Sequence, residues 1–381
     1  MRPVRAEVDL EAVAANVSTL RAAVGHTRFC AVVKANGYGH GAVPVAQAAI
    51  AGGADLLGVA LVAEGVELRD AQISQPIIVL SQASPDEIDV LVDQDLDATV
   101  YTEAGARALA EAVNAAGPDE SRTVPVHLKV DTGMHRVGAQ PAEVVELARL
   151  IVAEPRLRLA SIFTHCAVAD EPDNAFTDEQ RALFTSVLAD LADAGIEVPC
   201  RHMANSAAAI AWPDTRYDMV RCGIAIYGLS PSPALAGRVD LRPAMSLRSE
   251  VAHVKRVVAG EGLSYGLRYR PDRDVTIATV PLGYADGVAR RLSSLGGEVL
   301  IGGRRRPIAG TITMDQLMVD CGEDDVSVGD EVVLIGRQGD EAITADEWAD
   351  RLGTISYEVV CAIGPRVPRH YGVAGALGDS R

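Results

Sequence analysis

Eight short apolar or β-branched runs, most of them followed by an amphipathic stretch, fill the first 230 or so residues. The runs are "FCAVVKA", "LLGVAL", "PIIVLSQ", "DATVYT", "VPVHLKV", "RLASIFTH", "CRHMAN" and "YDMVRCG". Between most of them lie stretches such as "AVPVAQAAIAG", "EAGARALAEAVNAAG", "AEVVELARLIVAEP" and "TDEQRALFTSVLADLADAG". Their apolar residues recur three and four apart, and several end at Gly or Pro, as helices do. Strand then helix, about eight times, is the count of a closed (β/α)8 TIM-type barrel in the α/β class. An open doubly wound sheet competes. It uses fewer strands and a G-x-G-x-x-G first turn, and none follows "FCAVVKA".

After about Ser230 the pattern changes. "SPSPALAG" reads as a boundary, and mostly short strands follow: "MSLRSEVAHVKRVV", "VTIATVPLG", "EVLIGGRRRPIAG", "QLMVDCG" and "EVVLIG". Gly302–Gly303 between two strand-like runs predicts a hairpin. "TADEWADRLG" predicts one helix, with Thr344 or Asp346 as its N-cap. The expected organisation is a barrel over 1–235 and a smaller, mainly β domain over 236–381. The 381 residues exceed what one compact core needs.

Charge and cysteines narrow the partners. A net charge of -17 argues against a nucleic-acid surface or an anionic membrane. The N-terminus has no apolar signal region and no spanning segment follows. Six scattered cysteines with no C-x-x-C pair read as free thiols in the cytoplasm, and no ligand spacing supports a metal site.

Functional side chains of a barrel sit at the C-terminal ends of its strands. Lys34 ends the first run here. Lys129 ends the fifth, with Arg136 seven residues on, and His165 ends the sixth. Asn205 and Ser206 follow the seventh, and Arg221, Gly223 and Ile224 close the eighth. Barrels often hold phosphate at the loops after strands seven and eight. Ser206 opens a short helix there, and Gly223 lets the backbone approach closely. A phosphate in one place and a lysine amine across the mouth point to pyridoxal phosphate, which needs both. Each residue alone has a plainer reading. Lys34 is a solvated charge, Lys129 and Arg136 pair with surface acids, His165 is a core histidine, Ser206 is an N-cap and Tyr38 packs. Their joint placement on one rim favours the chemical reading.

Over its whole length the chain resembles the bacterial alanine racemases. The segments that carry the likeness are "AVVKANGYGHG", "HLKVDTGMHRVG", "ANSAA", "VRCGIAIYGLSP", "LSYGLRY", "PLGYADG", "TITMDQ" and "GTISYEVV". The resemblance implies a pyridoxal-phosphate enzyme that interconverts L- and D-alanine by a two-base mechanism and supplies D-alanine for peptidoglycan. It implies a homodimer whose two sites each combine one barrel with the other subunit's β domain. Lys34 would be the Schiff-base lysine and one acid/base, and Tyr265 of the other chain the second. Arg221 would face the pyridine nitrogen, with His165 and Asn205 beside the cofactor. Tyr38, Ser206, Gly223, Ile224 and Tyr357 would hold the phosphate. Arg136 and the Met314 backbone of the other chain would hold the substrate carboxylate. Lys129 matches a position where many members carry a carbamylated lysine. Tyr284 would line the entrance, and Asp315 lies near the site. Cys222, Thr313 and Cys166 depart from the usual pattern without removing a catalytic group. A broader-specificity or serine racemase of the same fold is the alternative. A decarboxylase, a cofactor carrier and a phosphosugar barrel enzyme fit less well.

Overall fold

The computed structural model describes residues 2–116 and 123–372. The chain opens with β1 (Arg5–Asp9), then lays down eight parallel strands: β2 (Arg28–Val32), β3 (Leu56–Val59), β4 (Ile77–Val79), β5 (Ala98–Val100), β6 (Val124–Lys129), β7 (Leu157–Phe163), β8 (Arg201–His202) and β9 (Met219–Cys222). They match the eight apolar runs one for one. β3, β4, β5 and β9 are buried at every residue, because a parallel barrel covers both faces of its strands.

Two ladders, β4-β3-β2-β9 and β5-β6-β7-β8, make up the eight strands. Backbone hydrogen bonds join them on both sides. Asp97 N donates to Ile77 O at 2.9 Å, and Val79 N to Asp97 O at 3.0 Å. On the other side Asp218 N donates to Arg201 O at 3.0 Å and Arg221 N to Ala204 O at 2.9 Å. The barrel is therefore closed, and the open-sheet alternative fails.

Seven of the eight strands are followed by a helix, including Ala42–Ala51, Glu103–Ala115, Phe176–Asp193 and the short Ser206–Ala211. The expected end of Glu103–Ala115, Gly117, lies outside the described residues. After β9 come only 3-10 turns, Ile224–Tyr227 and Pro233–Leu235. The helix Leu10–Val24, which precedes the first barrel strand, supplies the remaining crossover. Its Asn16 Nδ2 donates to Ile226 O at 3.2 Å and Arg242 O at 2.8 Å, tying it to the segment beyond β9.

The chain divides into two compact units. One comprises Ala12–Gly37 and Ala42–Arg242, the barrel. The other gathers residues up to Glu11, Tyr38–Gly41 and the chain from Pro243 onward. In this second unit β10 (Met245–Glu250), β13 (Glu298–Ile301), β14 (Arg304–Pro307) and β16 (Glu331–Gln338) form a sheet with β1 and β18 (Arg369–Gly372), in the order β14-β13-β16-β10-β1-β18. β1 sits inside that sheet, antiparallel to β10 and parallel to β18. A second sheet, β11 (His253–Val257), β12 (Val275–Val280) and β15 (Leu317–Asp320), closes over Val257, Leu263, Val275, Ile277 and Ala309. The Gly302–Gly303 hairpin forms between β13 and β14, with φ of +62° and +71° that only glycine adopts freely. The helix Ala345–Leu352 takes Thr344 as its N-cap, whose hydroxyl accepts from Glu347 N at 3.0 Å. No described helix is long and apolar enough to cross a membrane.

Candidate active site

Lys34 leaves the barrel just after β2 and starts a turn of reversed handedness. Ala35, Asn36, Gly37 and Tyr38 have φ of 52°, 52°, 59° and 50°. Consecutive left-handed residues crowd Cβ against the next carbonyl, at ~1–2 kcal/mol each for residues such as Ala35 and Tyr38. Other contacts must hold them there. Glu64 supplies one: Oε1 accepts from Ala35 N at 2.6 Å, while Oε2 anchors the carboxylate by accepting from Ala60 N at 2.8 Å and Leu61 N at 3.1 Å. Asn36 Oδ1 accepts from Ala42 N at 3.0 Å. The turn-formers around Lys34 therefore build a rigid, strained loop that fixes where the lysine emerges. Glu64 had no signal in the sequence beyond being a helix-start acid.

Arg221, at the end of β9, is buried at 4% exposure. Its Nη1 donates to His202 Nδ1 at 2.8 Å. Its Nη2 faces Thr164 O at 2.8 Å, Met203 O at 3.2 Å and His165 Nδ1 at 3.1 Å. A guanidinium has no acceptor, so both histidine nitrogens facing it are lone pairs. Burial, then Arg221, Arg136, Lys129 and Lys34, press His165 well below its usual pKa. It is neutral, with its proton on Nε2.

Lys129 ends β6 at 6% exposure. Its Nζ lies 5.4 Å from the centre of the Phe163 ring, and Arg221 lies 5.1 Å from the same centre. Burial and the charges of Arg221, Arg136 and Lys34 pull the Lys129 amine down to about 8, against the Asp131 carboxylate. The surface ion-pair reading of Lys129 is thus overturned: it is buried among cations. Arg136 stands exposed on the loop after β6. Asp131 shapes that loop by accepting from Gly133 N at 2.9 Å and His135 N at 3.0 Å. Burial raises the Asp131 carboxyl, but those two N–H groups and the His135 ring together hold it below the usual range.

The N-cap of Ser206–Ala211 is Asn205, whose side chain accepts from Ala208 N at 3.0 Å. Ser206 does another job. Its buried Oγ accepts from Gly223 N at 2.8 Å and Ala225 N at 3.5 Å, folding the Gly223–Ile224 loop onto the helix start.

The barrel unit therefore brings Lys34, Lys129, Arg136, His165, Asn205, Ser206, Arg221, Gly223 and Ile224 to one set of strand ends. The other expected residues belong to the second unit. There Tyr38 and Tyr357 face each other with ring centres 6.2 Å apart, and burial raises the Tyr38 phenol. Tyr265, Met314 and Tyr284 are 73%, 53% and 42% exposed. Asp315 is paired to Arg366 at 2.6 Å, and Arg366 Nε lies 3.4 Å from the buried Asp286. Tyr284 N and Ala285 N donate to Thr313 O and Met314 O at 3.0 and 3.1 Å, tying the two loops together. Among the described residues no group of three or more His, Cys, Asp or Glu is placed to hold a metal ion.

Two family models match the chain: the alanine racemase N-terminal domain over residues 8–231 and the alanine racemase C-terminal domain over 244–371. A protein of Symbiobacterium thermophilum named alanine racemase is 51% identical, over 98% of each chain. One of Nostoc with the same name is 43% identical, over 95% of this chain and 94% of that one. The alanine racemase structure from a D-cycloserine-producing Streptomyces lavendulae superposes with a TM-score of 0.92 at 42% identity, covering 98% of this chain and 97% of its own. That from Bacillus anthracis, which carries bound L-Ala-P, superposes with a TM-score of 0.90 at 40% identity, covering 98% and 95%.

Proposed function

The chain belongs to the alanine racemase family, and on that premise we propose that it interconverts L- and D-alanine with pyridoxal phosphate held on Lys34. One observation carries the reading. Lys34, Lys129, Arg136 and Arg221 all act on one barrel mouth, against the Asp131 carboxylate. Such a mouth needs anions, and a phosphate ester plus a substrate carboxylate supply them.

The residues present fit the cofactor. Ser206, Asn205 and the backbone around Gly223 and Ile224 would hold the phosphate, with Tyr38 and Tyr357 as further phosphate ligands. Arg221 would meet the pyridine nitrogen. Bound there, pyridoxal phosphate supplies an electron sink for charge developing at the substrate Cα. Arg221 can only donate, so it favours an unprotonated ring nitrogen and restrains that sink. Lys34 moves the Cα proton on one face.

Tyr265 of a second copy moves it on the other face. The exposure of Tyr265, Met314 and Tyr284 supports a homodimer with shared sites. His165, neutral with its proton on Nε2, would donate to that tyrosine's oxygen.

Arg136 and the Met314 backbone of the second copy hold the alanine carboxylate. Lys129 orients Arg136 as a carbamate: neutral Nζ adds to carbon dioxide and loses one proton, so a buried cation becomes an anion. The free cysteines, five of them buried, support a reducing cytoplasm, where the product would feed peptidoglycan synthesis.

Polarimetry of L-alanine, beside a panel of other amino acids, tests the reading. The loaded protein should racemise alanine fastest. Lys34→Ala should lose that activity and the visible absorption of bound cofactor together. A loaded wild type that leaves alanine optically unchanged would overturn it.

A further inference from the structure

Five consecutive barrel strands each bring one polar side chain to a single line through the interior. Asp97 leads into β5, His127 lies on β6, Ser161 on β7, His202 on β8 and Arg221 on β9. His127 Nε2 is 3.1 Å from Asp97 Oδ2. His127 Nδ1 is 2.6 Å from Ser161 Oγ, and Ser161 Oγ is 2.8 Å from His202 Nε2. The last link is Arg221 Nη1 to His202 Nδ1 at 2.8 Å. Ser161 and His202 are fully buried, and His127 nearly so.

The two ends of this line, Arg221 and Asp97, together fix its protons. Arg221 only donates, so His202 Nδ1 must accept. Neutral His202 then carries its proton on Nε2 and donates to Ser161 Oγ. Ser161, already accepting from His202, gives its own proton to His127 Nδ1. His127 therefore bears its proton on Nε2 and donates it to Asp97. Burial first, then Arg221, His127 and Arg28, hold His202 well below its usual pKa, which agrees with a neutral ring.

We propose that Asp97, His127 and Ser161 are positioning residues for the reaction: their one-way hydrogen-bond chain holds His202 in its Nε2–H tautomer and so fixes the Arg221 guanidinium at the barrel mouth. None of the three touches the reacting atoms. A line of two histidines and a serine can run in either direction. Run backwards, it would set His202 Nδ1–H against an arginine N–H, donor against donor. An ionised carboxylate cannot donate, so Asp97 makes one direction the stable one. It is also the anion at the far end of a line that starts at a buried guanidinium, which pairs with no carboxylate among the described residues.

The kinetic half of this proposal rests on the role given to Arg221 above; the tautomer half stands without it. Long-range 1H–15N spectra of the holoenzyme labelled with 15N-histidine report which ring nitrogen carries the proton. His127→Gln and His202→Gln variants assign the signals. In the wild type both rings should be Nε2–H. Ser161→Ala cuts the line: Arg221 still holds His202 at Nδ1, but the Nε2–H loses its acceptor, so the His202 ring signals should shift and broaden, and kcat should fall on the order of tenfold, the scale of one charge-assisted hydrogen bond, with KM little changed. Ser161→Thr keeps the hydroxyl and should restore both. Asp97→Asn can donate as well as accept, so His127 should become a mixture of tautomers; this variant sits at the partly exposed end of the line and tests it independently of Ser161. A Nδ1–H signal from either histidine in the wild type overturns the proposal. So do unchanged histidine ring signals with unchanged kcat in both Ser161→Ala and Asp97→Asn. A wild type that does not turn over alanine would refute the racemase reading and leave the tautomer result standing.

Discussion

Replacing Lys129 by methionine should make the protein more stable while it disables the enzyme. Burial among three other cations pulls the Lys129 amine down to about 8 in the folded chain, against 10.5 ordinarily. Between those two values the unfolded chain binds a proton that the folded chain does not. Stability therefore rises with pH through that window. Below pH 8 both states carry the proton, and the folded state bears the whole penalty. A gap of about 2.5 pH units corresponds to roughly 3 kcal/mol. Methionine has similar length and no charge. At pH 7 and without carbon dioxide, Lys129→Met should exceed the wild type by up to roughly 3 kcal/mol, and by almost nothing near pH 11.

Carbon dioxide should close that gap. At pH 7.5 an amine with a pKa of about 8 is neutral in roughly a quarter of the molecules, against about one in a thousand at the ordinary value. A carbamate formed from that fraction removes the buried cation and gives Arg136 an anionic neighbour. Urea unfolding at pH 7.5, 9 and 10.5, in carbon-dioxide-free buffer and in bicarbonate, measures both effects. 13C-bicarbonate should give a protein-bound carbamate signal in the wild type and none in Lys129→Met. Bicarbonate should also lower KM for alanine. If Lys129→Met is the less stable protein at pH 7.5 without carbon dioxide, the electrostatic account of this lysine is wrong. If bicarbonate changes neither KM nor the 13C spectrum, Lys129 works as an amine.

The other predictions concern Tyr265 and Glu64. Tyr265→Phe should abolish racemisation while the Cα proton of D-alanine still exchanges with deuterium far faster than that of L-alanine, read by 1H NMR; equal loss for both enantiomers would end the one-face-per-base account. A doubly tagged dimer of Lys34→Ala with Tyr265→Ala should recover roughly half the wild-type activity, since one of its two shared sites keeps both groups; activity no higher than the single-variant dimers would mean that both groups come from one chain. Glu64→Ala leaves three backbone N–H groups without their acceptor, at about 1–3 kcal/mol for each that stays buried, so the Ala35 amide should exchange with deuterium on the order of tenfold faster or more, and kcat should fall with it.

How much of this was legible in the sequence depended on what each residue faces. The eight barrel strands were legible because parallel strands are covered on both sides and read as unbroken apolar runs. Lys34 and Arg221 were legible as cations at the ends of such runs. β1 was not: "RAEVD" alternates buried and half-exposed residues, and its partners lie far along the chain, so nothing local marks it as a strand. The eighth crossover helix was hidden for a related reason, since it precedes the first barrel strand instead of following the last. His127, Ser161 and His202 were present in the quoted runs, yet only the closed barrel turns three isolated polar residues into neighbours. Their signal was a polar residue inside an otherwise apolar strand. The left-handed turn had a partial signal, Asn36–Gly37, but Ala35 and Tyr38 belong to residue types that avoid positive φ.

The place of β1 inside the second sheet also sets a schedule for synthesis. Val8 pairs with Met245, and Glu7 with His370. At ~5–20 residues per second, β1 leaves the ribosome roughly 12–50 s before β10 is made. Throughout that interval the barrel's own strands are complete or being completed, while the first strand of the protein has no sheet to join. Deleting residues 2–9 would remove the strand that joins β10 to β18, so a shortened chain should build its barrel and yet leave the sheet of the second unit split in two.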